Sequence, residues 1–137
     1  MDEVKRQEVQ QWLVRSQRDL GSARRLMEGP EPYLDTAVYH CQQSAEKALK
    51  AYLAYRDTTF GKSHNLVALL SLCVPFEASF EDWYDAAAML TPYATEFRYP
   101  GELLEPTQAE ADHALDTASR LLDYVTRLLP AEVKGQG

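Results

Sequence analysis

The chain has 137 residues, with 14 Lys plus Arg against 21 Asp plus Glu, a formal net charge of −7, and 45% hydrophobic residues. A single domain of this size buries about two-thirds of its unfolded surface, so its core needs neither metal nor disulfide. No stretch approaches the ~18 uninterrupted apolar residues of a membrane span, and the opening MDEVKRQEVQ is too charged for a secretory signal, so a cytoplasmic protein with no membrane contact is expected.

In chain order, Trp12, Leu13, Ser16, Leu20, Ala23 and Met27 recur at steps of three and four, the spacing of one buried helix face, until Gly29-Pro30 ends it. A second helix is expected from about Tyr33 to Arg56, with Leu34, Ala37, Val38, Cys41, Ala45, Ala48, Leu49 and Tyr52 inward. A turn at Phe60-Gly61-Lys62-Ser63 leads to a short apolar helix from Asn65 to about Val74. Ser79, with Asp82 three residues on, offers an N-cap for a fourth helix carrying Phe80, Trp83, Tyr84, Ala87 and Leu90. Thr91-Pro92 interrupts it, and Thr107 with Glu110 forms a capping box for a last helix that buries Ala111, Ala114, Leu115, Ala118, Leu121, Leu122, Val125 and Leu129. No alternating strand pattern or internal repeat is present. The expected fold is all-α: an antiparallel up-down bundle of four long helices plus one short helix, spanning residues 1–130, with 131–137 a disordered tail.

Cys41 and Cys73 both fall on apolar faces and read as reduced core thiols, not nucleophiles. Glu110-x-x-His113 is a lone copy of a pattern that a di-metal bundle needs twice, so neither a metal nor another cofactor is expected. Charge is unevenly distributed: residues 1–64 hold ten basic and nine acidic side chains, residues 65–137 four and twelve. That balance disfavours an extended DNA duplex, whose affinity rests on many phosphate contacts.

The second helix carries the informative residues. At 100° per residue, His40, Gln43, Glu46, Lys47 and Lys50 fall within about 120°, opposite the apolar positions. Such a polar ridge is either a solvated face with a Glu46-Lys50 ion pair or a cationic ledge for a phosphate or a partner.

The run from Ala37 to Leu53 (AVYHCQQSAEKALKAYL), followed by Lys62-Ser63-His64-Asn65-Leu66 and later Arg98-Tyr99-Pro100, resembles the HEPN domain, the higher eukaryotes and prokaryotes nucleotide-binding family. The resemblance spans nearly the whole chain. It implies a small all-helical protein that dimerises through its helices. It also implies, as a partner, a minimal nucleotidyltransferase in a toxin-antitoxin pair, and in several members metal-independent ribonuclease activity through Arg, four to six residues, then His. Here those spacings from Arg98 reach Leu103, Leu104 and Glu105, and Arg56 to His64 has seven intervening residues, so the catalytic pattern is absent in its usual form.

Metal-free RNA cleavage needs a group that takes the 2′-OH proton and a cation for the phosphorane, roles suited to His and Arg. Arg98 and His64 are the catalytic candidates, each with a plainer alternative: Arg98 at a helix end held by Tyr99 and Pro100, His64 as a loop anchor. His113 reads as structural. The expected ligand is a nucleotide or short RNA end, contacted by Gln43, Lys47, Lys50, His64, Arg98 and Tyr99. The alternatives are a ribonuclease toxin with a non-standard Arg/His site, or a dimeric interaction module in which the ridge is the interface.

Overall fold

The computed structural model describes residues 1–101 and 105–134. Leu103 and Leu104, two of the spacings measured from Arg98, lie outside the described residues, as do positions 135–137 of the expected tail. Eight helical segments account for the fold: α1 Glu3–Leu26, α2 Leu34–Tyr55, α3 Leu66–Cys73, a 3-10 turn Ala78–Trp83, α4 Tyr84–Leu90, a 3-10 turn Thr91–Ala94, α5 Gln108–Leu128 and a 3-10 turn Ala131–Val133. No strand occurs among the described residues.

α1 and α2 form an antiparallel hairpin. Asp2 caps α1 by accepting from Lys5 N at 2.8 Å, and Gly29 turns the chain at φ 86, a left-handed conformation that glycine adopts without strain. Close packing along the pair is permitted by small residues. Ser16 Oγ donates to the Ser44 carbonyl at 2.7 Å and Ser44 Oγ to the Ser16 carbonyl at 2.9 Å, so two buried hydroxyls satisfy each other's helix. Arg24 reaches Ser119 on α5 at 3.1 Å, and the Ala131–Val133 turn packs against α1, so α1 and α5 are also antiparallel and α2 and α5 run parallel.

The return path is built by the short elements. Leu66 N donates to Thr91 Oγ1 at 3.1 Å, tying the start of α3 to the end of α4. Phe80, fully buried, packs between Tyr52 of α2, tilted at 4.8 Å, and Tyr124 of α5, edge-to-face at 5.0 Å. A buried ring of that kind contributes roughly 1.5–3 kcal/mol.

α2 is the central helix. Sixteen of its 22 residues are buried, because α1, α3, α4 and α5 all pack on it. The fourth helix is shorter than its spacing predicts. Ser79 does not cap it: its hydroxyl bonds Tyr124 Oη at 2.5 Å and Glu77 at 3.1 Å, and the chain forms a 3-10 turn before α4 begins. The Ala131–Val133 turn buries Val133 fully against the core. Thr107 and Glu110 form the capping box of α5 as read from sequence.

Candidate functional site

The ridge of α2 is not a solvated face. Gln43 is 9% exposed, Glu46 3% and Lys50 5%, while His40 and Lys47 are half-buried. α1 and the chain between α2 and α3 cover it and supply complementary polar groups, which is why charged residues are tolerated there.

Two carboxylates organise the ridge. Glu46 Oε2 accepts from Lys50 Nζ at 3.0 Å, while Oε1 accepts from His64 Nδ1 at 2.8 Å and Gln42 Nε2 at 3.2 Å. Gln42 also donates to the His64 carbonyl at 2.9 Å, so α2 grips both backbone and ring of that residue. Gln43 Nε2 donates to Gln42 Oε1 at 2.7 Å and completes the network. No buried side-chain polar atom lacks a partner among the described residues. The Lys50 ammonium lies 5.5 Å from the centroids of both Trp12 and Phe60, which are themselves edge-to-face at 5.7 Å. On the side facing α1, Asp19 accepts from His40 Nδ1 at 2.8 Å and Lys47 Nζ at 2.6 Å.

The His64 ring is 66% exposed although its carboxylate partner is 4% exposed. Because an ionised carboxylate can only accept, Nδ1 carries the proton and Nε2 is left facing away from Glu46. Arg98 follows Phe97, whose φ of 67 turns the backbone into the left-handed region, uncommon for a bulky residue. The guanidinium then lies over the Tyr39 ring, 4.1 Å from its centroid, and Tyr39 meets His40 edge-to-face at 5.4 Å. Arg98 and Tyr99 are both exposed.

Tyr39, Gln43, Glu46 and Lys50 share one stripe of α2, at steps of four, three and four. The structure therefore brings His64 and Arg98 to the same stripe, their anchors Glu46 and Tyr39 two turns or about 10 Å apart, with Gln43 between them. Lys50 is enclosed by Glu46, Trp12 and Phe60, and Gln43 is held in the buried network. Lys47 is partly exposed but paired with Asp19. His113 borders a different groove, between α4 and α5, with Trp83, Arg120 and Tyr124.

Sequence spacing missed Asp19, Tyr39 and the anchoring role of Glu46. One signal for Asp19 was available: it is the only acid between residues 9 and 27, among Arg15, Arg18, Arg24 and Arg25. The thiols are inert packing groups, burial pushing both Cys41 and Cys73 up to about 12.

The HEPN domain family matches residues 9–128, and the chain belongs to this family. Among solved structures it is similar to TT1696 from Thermus thermophilus, with 29% identity over 88% of this chain and 98% of that one and a TM-score of 0.75. It is also similar to ST0689, an archaeal HEPN homologue, with 28% identity over 92% and 98% of the two chains and a TM-score of 0.70. No curated protein matches the chain. Among the described residues, no helix is long and apolar enough to cross a membrane.

Proposed function

We propose that the protein binds a phosphate-bearing ligand, a nucleotide or the end of a short RNA, at the stripe of α2 flanked by His64 and Arg98. The protein then acts as a homodimer with a partner, a minimal nucleotidyltransferase in a toxin-antitoxin pair. The observation that carries the ligand reading is the convergence of two exposed nitrogen-bearing side chains from separate loops on one helix stripe, each with its own anchor. Arg98 offers the forked donors that match a phosphate, His64 Nε2 a second contact, and Tyr99 an exposed ring beside them. Family membership supports the dimer and partner. Titration of ATP and of a short oligonucleotide, followed by calorimetry and by NMR signals of His64, Arg98 and Tyr99, tests the reading. Shifts confined to these residues are expected; silence there, with Lys47→Glu disrupting association instead, makes the ridge an interface.

A second reading, metal-independent ribonuclease activity, is favoured by the His64–Glu46 pair. A ring fixed by its Nδ1 proton presents Nε2 to take the proton of a ribose 2′-OH as that oxygen attacks the adjacent phosphorus and the 5′-oxygen departs, while Arg98 offsets the phosphorane charge. Incubation with structured and single-stranded RNA in EDTA, comparing wild type with Arg98→Ala and His64→Ala, decides it: cleavage lost in both variants establishes the enzyme, and no wild-type cleavage removes it.

A further inference from the structure

Three shallow grooves run end to end along the outer face of α1. The first is bordered by Glu8, Trp12, Arg15 and Lys47, the second by Gln11, Arg15 and Arg18, and the third by Arg18, Ser22 and Arg25. Each shares an arginine with the next, so they form one channel about 20 Å long at 1.5 Å per residue. Arg15, Arg18 and Arg25 are exposed and form no ion pair among the described residues. Glu8 is the one acid that lines these grooves and sits at the end of the first, Lys47 is paired with Asp19, and the cations left for a ligand are Arg15, Arg18 and Arg25. On a chain of net charge −7, a line of unneutralised arginines is a local exception to the field of the whole molecule.

We infer that this face of α1 is a path for the backbone of a single-stranded polynucleotide. The inference rests on the reading above in taking the ligand to be nucleic acid, but its residues are distinct from His64, Arg98 and Tyr99. Guanidinium groups match phosphate oxygens in pairs, and Gln11 and Ser22 supply neutral donors and acceptors for sugars and base edges. A narrow channel on one helix suits a flexible strand. A rigid duplex would meet too few cations here to overcome the repulsion of the remaining surface.

Fluorescence anisotropy of fluorescein-labelled hexauridylate against the full chain tests the path. Wild type should bind with an affinity that falls as salt rises, and Arg15→Gln/Arg18→Gln/Arg25→Gln should weaken binding about ten-fold and flatten the log–log salt slope by about 2, at ~0.7 per phosphate contact. Arg→Lys at the same three positions should restore most of the slope. Circular dichroism checks that the exposed substitutions leave the fold intact. Absence of wild-type binding, an unchanged slope in the Gln variant, or equal competition by hexaglutamate overturns the inference, the last making the face a dock for an acidic protein segment. ATP titration read at His64 and Arg98 reports the other site: silence there with the α1 response intact removes the nucleotide site and keeps the path.

Discussion

Asp19 of α1 and Glu46 of α2 play matching parts: each carboxylate bridges one histidine and one lysine, Asp19 holding His40 and Lys47, Glu46 holding His64 and Lys50. They differ in burial. The Glu46 and Lys50 side chains are 4% and 6% exposed, those of Asp19 and Lys47 13% and 22%. The pair at Asp19 is the weaker contributor because water screens it, whereas the pair at Glu46 has been desolvated and depends on every partner being present.

Glu46→Ala therefore leaves the Lys50 ammonium buried without a counter-charge and should cost about 3–5 kcal/mol in urea unfolding. The double change Glu46→Leu/Lys50→Met removes both charges and should recover most of that loss. A single-variant cost below about 1 kcal/mol would show that the carboxylate is not what holds the ridge together.

The thiols give a prediction of opposite pH sense to the usual carboxylate. Burial raises Cys41 and Cys73 to about 12 from an ordinary 9.0, so the unfolded chain ionises them first. Their contribution to stability is complete below pH 9 and is lost as pH rises from there through about 12. Iodoacetamide at pH 8 should leave both unmodified in the native protein and label both in urea; rapid native labelling of either would contradict its placement in the core.

The Thr107 hydroxyl accepts from Glu110 N at 3.1 Å, while the Glu110 carboxylate accepts from Thr107 N at 2.9 Å. Bonds to the backbone and side chain of Thr107 hold the Glu110 carboxyl below its usual range. A depressed folded-state value stabilises above the ordinary 4.5 and is lost as pH falls through the folded value. Glu110→Ala should lower stability at neutral pH, with the difference from wild type shrinking in acid; a pH-independent gap would mean that the bond from Thr107 N to the Glu110 carboxylate contributes nothing.

The helices were legible because burial repeats with their period: Leu13, Leu20 and Ala23 of α1 and Ala111, Ala114, Ala118 and Val125 of α5 are all buried as their spacing requires. The fourth helix was misread because the Ser79 hydroxyl satisfies Tyr124 and Glu77, partners 45 and two residues away, of which a local capping rule sees neither. The ridge was legible as a set of residues and illegible as an environment. Spacing places Glu46 and Lys50 opposite the core, but only α1 and the Phe60–His64 segment, folded over them, turn that face inward. Family likeness alone marks His64 and Arg98, and nothing local to either reveals Glu46 or Tyr39 as its anchor.

Tyr39 should matter to ligand binding without mattering much to stability. Arg98 is exposed, and an exposed cation–π contact is worth only about 0.5–1 kcal/mol, so Tyr39→Leu should shift the unfolding midpoint little. If Arg98 contacts the phosphate, the ring's work is to hold the guanidinium over α2 before the ligand arrives, and its loss is felt as added ordering cost on binding. ATP affinity should then fall about two- to five-fold in Tyr39→Leu and well beyond that in Arg98→Ala, which removes the contact itself. Calorimetric titration of the two variants beside wild type measures both. Equal affinities in wild type and Arg98→Ala would place the phosphate elsewhere, and a Tyr39→Leu loss as large as that of Arg98→Ala would show the ring contacting the ligand directly.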